Sequence, residues 1–324
     1  SSERFKKMRK SLEKVFLLLF SFLFLELSVR IITSYIPIFD IEMLKYSQNL
    51  KKYSKENPGL FFHQPNKKVH LMGVDVSTNS MGLRGVEVRK TKPTMRAIFL
   101  GDSLTFGWGV HQNKIFSSLV EQNLKTNVEV INFGHCNYNA DQEFQLFDKK
   151  GDELNPDVVY IFHFLNDLEP TTWVHGVPLW TYSYFASLLV SRFRGFYQGL
   201  DYKSYYRKFY FSEAPYWERF KKSILKFSEE QKNKGRTVKV FILPDFHQFN
   251  PYELKEVHQK IVNELTALDI DTVDILPVFN GSKEAFKYWV AKDDPHPNEW
   301  AHKKISDFVT PILRQDYERF FKKK

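Results

Sequence analysis

A chain of 324 residues is long enough for one large domain or two small ones. Its single cysteine, Cys136, excludes an internal disulfide framework and a cysteine-rich zinc site. The net charge of +9 is concentrated at the two ends, +4 in residues 1–14 and +3 in residues 314–324, so the nearly neutral body excludes a basic nucleic-acid face.

In chain order, a basic amino terminus (1–14), expected to be cytoplasmic, precedes Val15 to Ile36, VFLLLFSFLFLELSVRIITSYI, about the length that crosses a bilayer. The basic residues ahead of it favour an N-in orientation with the bulk of the chain on the far side. The run is long and no small-x-small cleavage site follows it, so a retained anchor is expected rather than a signal peptide. Within it Glu26 and Arg30 are spaced four apart, as in a helical ion pair. They fit either the outer interface, with Arg30 snorkelling outward, or contact with a partner membrane protein. Residues 37–90 form a pre-domain segment. It has an amphipathic juxtamembrane part to Glu56, then short strands and turns, with Val74 and Val76 alternating and an Asn-Ser-Met-Gly-Leu-Arg stretch at 79–84.

Ala97 to Leu100 is a short apolar run without polar alternation, the pattern of a strand buried on both faces of a parallel sheet. Gly101-Asp102-Ser103 then places a small polar turn at the strand's carboxyl end, the edge where open α/β sheets bind ligands. Ser103 is therefore a candidate nucleophile. Three phosphate- or nucleophile-loop patterns fail here. Thr105 stands where a nucleophile elbow needs glycine, no lysine follows Gly107 before Lys114, and Gln112 replaces the third glycine of a dinucleotide fingerprint.

Helical spacing follows over Ile115–Lys125, a second strand over Val128–Phe133 ending at Gly134, and a helix over Asn139–Leu154 capped by Asn139 with Gln142 three residues on. A third strand, Asp157–Phe164, ends at Leu165-Asn166-Asp167. Residues 170–216 are crowded with aromatics, among them Trp173, Trp180, Tyr184, Phe193, Phe196, Tyr197, Tyr206 and Tyr210, with Arg192 and Arg194 interleaved. The stretch reads as an insertion with its own small core, a lid or acceptor-binding wall, or a membrane-resting patch. A helix over Tyr216–Lys234 stops at Gly235, a strand covers Val238–Leu243, a helix opens at Asn250-Pro251 and runs to Leu268, and Thr272–Ile275 is a short fifth strand. His247 and His258 read as ordinary surface or supporting residues. The last polar block is Asp293-Asp294-Pro295-His296-Pro297-Asn298.

Gly101-Asp102-Ser103-Leu104, Gly134, Phe164-Leu165-Asn166-Asp167 and Asp293-x-x-His296 occur in the order of the four blocks of the SGNH, or GDSL, hydrolase family, which the chain resembles. Phe164 departs from the glycine of the third block. The resemblance covers residues 101–296 and implies a three-layer α/β/α sandwich around a parallel sheet of about five strands, flavodoxin-like, here preceded by one transmembrane helix. The hydrolase domain is expected at 91–313, followed by a basic tail at 314–324. Ser103 would be the nucleophile, His296 the base, and Asp293 its orienter through the three-residue spacing. Asp294, two residues from His296, is the competing orienter. The N–H groups of Ser103 and Gly134 and the Asn166 amide would form the oxyanion hole. No cofactor or metal is expected, since a metal cluster of Asp293, Asp294, His296 and His302 would leave Ser103, Gly134 and Asn166 without a role. The expected reaction is acyl-ester hydrolysis on a cell-envelope ester such as an O-acylated glycan. The alternatives are O-acyl transfer beside a membrane-bound acyltransferase partner, or a non-catalytic subunit of a membrane complex. Membrane-anchored relatives place the domain on the periplasmic or outer side of a bacterial inner membrane.

Overall fold

The computed structural model describes residues 2–57, 59–170, 179–198, 201–212 and 214–322. Helix α1 (Ser2–Tyr35) leads into α2 (Phe39–Asn49) and two antiparallel hairpins, β1 (Lys51–Tyr53) with β2 (Phe61–His63) and β3 (Lys68–Leu71) with β4 (Val74–Ser77). Then come β5 (Met95–Gly101), α3 (Ser103–Phe106), α4 (Phe116–Leu124), β6 (Val128–Gly134), α5 (Ala140–Leu146) and β7 (Val158–His163). Helices α6 (Tyr184–Gln198), α7 (Tyr202–Arg207) and α8 (Ala214–Asn233) precede β8 (Thr237–Ile242), α9 (Lys255–Ala267) and β9 (Thr272–Asp274). A last hairpin, β10 (Trp289–Ala291) and β11 (Asp294–Pro297), leads into α10 (Glu299–Lys322).

The chain divides into two compact units, Ser1–Gln48 with His175–Leu200, and Asn49–Val174 with Asp201–Lys324. In the first, α1 is long and apolar enough to cross a membrane, and its apolar side chains are mostly exposed. Glu26 and Arg30 do pair, Arg30 Nε lying 2.6 Å from Glu26 Oε1. Glu26 also accepts bonds from residues 183–185 of the same chain.

The second unit is the α/β body. Its five-stranded sheet is parallel throughout, in the order β6-β5-β7-β8-β9, with helices flanking it as in the SGNH α/β/α fold. Every residue of β5 and β7 is buried, which is why these strands read as unbroken apolar runs. The chain passes from β5 to β6 on one side, then crosses back to β7 on the other, so the strand order reverses at β5. Crevices at such reversals, beyond the strands' carboxyl ends, are where this class of sheet binds ligands. The register sets Gly101 of β5 opposite Gly134 of β6 and Phe162 of β7, so the three strand ends are level.

Asn139 and Gln142 close a complete capping box on α5, and the helical path continues to Leu154 through a π turn and a 3-10 turn. Gly235 ends α8 at a φ of 76°. The opening expected at Asn250-Pro251 is not a helix start, because α9 begins at Lys255. Tyr252 is turned inward instead, its hydroxyl accepting the Asp245 N–H at 3.0 Å and lying 2.8 Å from His258 Nε2. His258 is accordingly a buried residue, bonded on its other side to Asp274 at 2.8 Å.

At the amino-terminal edge of the sheet, Arg96 and Glu129 on neighbouring strands form a buried pair at 2.7 Å. Arg96 also donates to the Leu154 and Arg89 carbonyls, and the other Glu129 oxygen accepts the Arg89 N–H. Removing one partner strands the other charge in a site closed to water. Arg96→Ala is therefore expected to lower unfolding free energy by about 3–5 kcal/mol, measured by urea denaturation. A loss of under about 1 kcal/mol would show the pair to be energetically idle.

Candidate active site

Ser103 is placed by the turn that leaves β5. Asp102 caps α3, its Oδ1 accepting the Leu104 N–H at 2.9 Å, and Gly107 closes the turn in the left-handed region at φ 82°. The Gly107 and Trp108 N–H groups both return to the Ser103 carbonyl, at 3.0 and 3.1 Å. Ser103 heads this short helix, where the first N–H groups lack an intrahelical acceptor.

The turn lies hard against the strand ends. A Cβ on Gly101 would strike the Thr105 side chain, and one on Gly134 would strike the backbone of Thr105 and Phe106. Asn132 links the two elements, its Nδ2 donating to the Thr105 carbonyl (2.7 Å) and Ser117 Oγ (3.1 Å) while its Oδ1 accepts the Gly134 N–H at 2.8 Å. Those two donations fix which end of the amide is oxygen. Gly134 is therefore corrected as an oxyanion donor: its N–H is already bonded, and its glycine serves close packing. Three residues on, Asn137 stands at φ 66° with an N–H that has no acceptor among the described residues.

The third side of the turn is held by Arg84, from the Asn-Ser-Met-Gly-Leu-Arg stretch. Asn79 Oδ1 accepts the Met81 and Leu83 N–H groups, and Gly82 turns at φ 76° where a Cβ would meet the His63 carbonyl. This loop delivers a buried guanidinium to the carbonyls of Phe106 (2.8 Å), Gly107 and Val110. Arg84 is only 2% exposed, and burial lowers its pKa to about 10.

His296 lies on β11, with Nε2 2.9 Å from Ser103 Oγ. Its Nδ1 is 2.5 Å from Oδ1 of Asp294, which also accepts the His296 backbone N–H at 3.0 Å. Asp293, the expected orienter, is solvent-exposed and is replaced in that role by Asp294, which is fully buried. The reason is local geometry. The strand begins at Asp294 and leaves Asp293 in the hairpin turn, and residues two apart on a strand, such as Asp294 and His296, share a face. Trp108 holds the other Asp294 oxygen through its indole N–H at 2.8 Å. Just beyond, Asn298 Oδ1 caps α10 by accepting the Trp300 and Ala301 N–H groups. His302 uses Nδ1 to accept the Phe116 N–H at 3.0 Å. Among the described residues, no group of three or more His, Cys, Asp or Glu side chains is arranged to hold a metal ion.

Asn166 follows β7 on a turn tied by Asp167, whose Oδ2 accepts the Phe164 N–H at 2.8 Å and whose own N–H returns to the Phe164 carbonyl at 3.0 Å. The Asn166 amide has no hydrogen-bond partner among the described residues, and its oxygen is buried. The Tyr206 ring meets Phe164 edge-on at 5.8 Å, and the Tyr210 hydroxyl donates to the Leu165 carbonyl at 3.2 Å. The insertion residues 202–212 thus pack beside this turn. Trp173 and the side chains of Arg194, Phe196 and Tyr197 lie outside the described residues.

Burial opposes charge throughout the site. It works against the imidazolium of His296, but the Asp294 carboxylate and its hydrogen bond outweigh it and raise the pKa above the ordinary value. For Asp294 burial would raise the pKa, and His296 with its hydrogen bonds, helped by Trp108, brings it below normal. Asp102, behind the nucleophile, is pushed up to about 7 by burial and by Asp167. Burial holds Glu143 and Asp167 well above the carboxylate range, and neither Glu143 oxygen has a hydrogen-bond partner among the described residues.

Arg84, Trp108, Asn132 and Asp294 are the residues that sequence reasoning missed or ranked too low. Only Asp294 carried a local signal, its alternation with His296.

Among solved structures the chain is similar to a psychrotrophic esterase from Pseudoalteromonas sp. (13% identity, 68% of this chain and 97% of that one, TM-score 0.43). It is similar to the same degree to a lipase/acylhydrolase from Enterococcus faecalis (13%, 68% and 96%, 0.43). An acetylxylan esterase from Geobacillus stearothermophilus gives 13%, 68% and 94%, with a TM-score of 0.44. No curated protein matches the chain. Residues 99–304, well over half of the sequence, match the GDSL-like Lipase/Acylhydrolase family, and the chain belongs to that family.

Proposed function

We propose that this chain is a serine-dependent acyl-ester hydrolase in which Ser103, His296 and Asp294 form the catalytic triad. The observation that carries the reading is the unbroken series from Ser103 Oγ through both ring nitrogens of His296 to a buried Asp294. Ser103 Oγ attacks the ester carbonyl carbon while its proton moves to His296 Nε2. The imidazolium then returns that proton to the departing alkoxide as the ester C–O bond breaks. In the second half a water gives its proton to His296 and attacks the acyl-serine; the imidazolium then protonates Ser103 Oγ as the acyl C–O bond breaks, releasing the carboxylic acid and the free serine. Charge on the carbonyl oxygen would be met by the Ser103 N–H, the unpartnered Asn166 amide and, in place of Gly134, the Asn137 N–H.

The substrate we propose is an ester of the cell envelope, an O-acylated glycan, with α1 holding the domain at the outer face of the inner membrane. The length and apolarity of α1 and the basic residues before it support this placement. Anchorage at a membrane equally suits a second reading, in which a glycan hydroxyl replaces water in the second half-reaction. The two part on product: with a labelled acyl donor and a glycan acceptor, label in the glycan marks transfer and label only in free acid marks hydrolysis.

Ser103→Ala is expected to reduce ester turnover by about 10⁴-fold or more and to abolish labelling by a fluorophosphonate probe. Labelling that persists in the variant would place the nucleophile elsewhere.

Asp294→Asn is expected to lower kcat by about 10⁴-fold, while Asp293→Asn stays within about twofold of the parent, a difference too small to mark loss of a triad group. The opposite ranking would restore Asp293.

Only neutral His296 accepts the serine proton, and Asp294 raises its pKa, so activity falls as pH drops through the folded value. The acid limb of kcat/KM is expected at a midpoint above the ordinary histidine value of about 6.5, moving down in the residual activity of Asp294→Asn. A midpoint unchanged by that substitution would detach the limb from this pair.

A further inference from the structure

In the unit formed by Ser1–Gln48 and His175–Leu200, Glu26 is the one acidic residue of α1 within the apolar run, and it is only 9% exposed. Its neighbours are open: Leu23 is 56% exposed, Phe24 63% and Leu27 51%. Both carboxylate oxygens are fully engaged. Oε1 accepts from Arg30 Nε (2.6 Å) and the Tyr184 N–H (3.1 Å), and Oε2 accepts from Ser183 Oγ (2.7 Å) and the Phe185 N–H (2.9 Å). Tyr184 and Phe185 open α6, so Glu26 caps the amino terminus of a helix 158 residues away in the chain. Arg30 completes the joint, donating to the Tyr182 carbonyl at 3.2 Å and stacking on the Tyr184 ring at 4.2 Å, while Phe22 meets Phe185 edge-on at 5.8 Å.

We infer that α6 is a second membrane-embedded element, starting inside the hydrocarbon layer beside α1 and contacting lipid acyl chains through Leu189 and Phe193. The inference rests on α1 spanning the bilayer. At 1.5 Å per residue, Glu26 lies about 16 Å beyond Val15, near the middle of a core about 30 Å thick. Exposed apolar side chains continue past it to Ile31, Ile32 and Ile36, so the joint is not at the rim of the apolar run. A chain entering hydrocarbon must be helical, and its first N–H groups must find acceptors. A carboxylate at that depth must likewise find donors. Each group meets the other's need, which explains an acidic residue in the anchor without a partner protein. Beyond the joint α6 keeps Leu189 43% and Phe193 61% exposed, continuing the apolar surface of α1. Lipid is the occupant because the acyl chains that cover α1 at this depth also surround whatever is fixed to it there. Arg192 is exposed eight residues past the cap, about 12 Å along the helix, within snorkelling reach of a headgroup.

The test uses the full chain with Cys136→Ser in liposomes of phosphatidylethanolamine and phosphatidylglycerol, spin-labelled singly at Leu189→Cys, Phe193→Cys, Leu23→Cys on α1, or Val86→Cys, which is 83% exposed on the other unit. Labels at 189 and 193 are expected to resemble that at 23, with oxygen collisions exceeding those with a water-soluble nickel chelate several-fold, and to differ from that at 86. Nickel-dominated collisions at 189 and 193 beside a lipid-exposed 23 overturn the inference and leave the anchor standing. Nickel-dominated collisions at 23 as well overturn both. Protection from both reagents at 189 and 193 means a protein neighbour covers them, and also overturns it. Adding Glu26→Ala should move label 189 towards nickel access with label 23 unchanged, and Glu26→Gln, whose amide oxygen still accepts, should restore it. An unchanged 189 signal in Glu26→Ala removes the cap from the account.

Discussion

The short turn carrying Ser103 rests directly on the ends of β5 and β6, and the rest of the site depends on that close approach. It is possible only because residues 101 and 134 have no side chain. Contact alone would not fix the turn, and three polar clamps do: Asp102 on the Leu104 N–H, Asn132 on the Thr105 carbonyl, and Arg84 on the carbonyls of Phe106, Gly107 and Val110. Each clamp satisfies backbone groups that the turn would otherwise bury unpaired. The arrangement that removes the unsatisfied carbonyls also sets Ser103 Oγ at hydrogen-bond distance from His296.

The imidazole is fixed by an independent route. Asp294 binds His296 twice, at the ring and at the backbone, and Trp108 fixes the carboxylate from the nucleophile side. Trp108 follows α3 after Gly107, so one indole links the Ser103 turn to Asp294. Its single N–H holds the carboxylate, and its ring is buried.

The sheet was legible because its strands are bounded by glycine or turn residues and all five match the expected segments within about two residues; β5 and β7, buried throughout, are the unbroken apolar runs, whereas β9 is short and half-buried. Ser103 and His296 were legible from their polar blocks. Asp294 ranks second in sequence because the three-residue spacing is read on a tight turn, whereas Asp294 and His296 lie on a strand, which puts alternate residues on one face. Gly134 was legible as a necessary glycine, but the reason for it was not, since a close-packing glycine and a donor glycine look alike in sequence. Arg84 and Glu26 act across 22 and 157 residues, on Phe106 and Ser183, and no periodicity reports such contacts.

The charge balance explains how so many carboxyl groups can be buried around the Ser103 turn. Of the carboxyl groups around the Ser103 turn, Asp294 is the one brought below its normal pKa, and it faces the His296 imidazole, whose charged form it favours. Asp102, Glu143 and Asp167 lie behind the nucleophile turn and interact with one another through space. Ionised together, they would repel one another in a medium that screens poorly. Burial raises all three towards the neutral acid, and mutual repulsion raises Asp102 and Glu143 further. Asp167 can then shape the Asn166 turn by accepting the Phe164 N–H without adding a full negative charge beside the Asn166 amide. Burial thus disfavours charge on Asp102, Glu143 and Asp167, most strongly on the last two, while the carboxyl group lowered in pKa is set two residues from the histidine it binds.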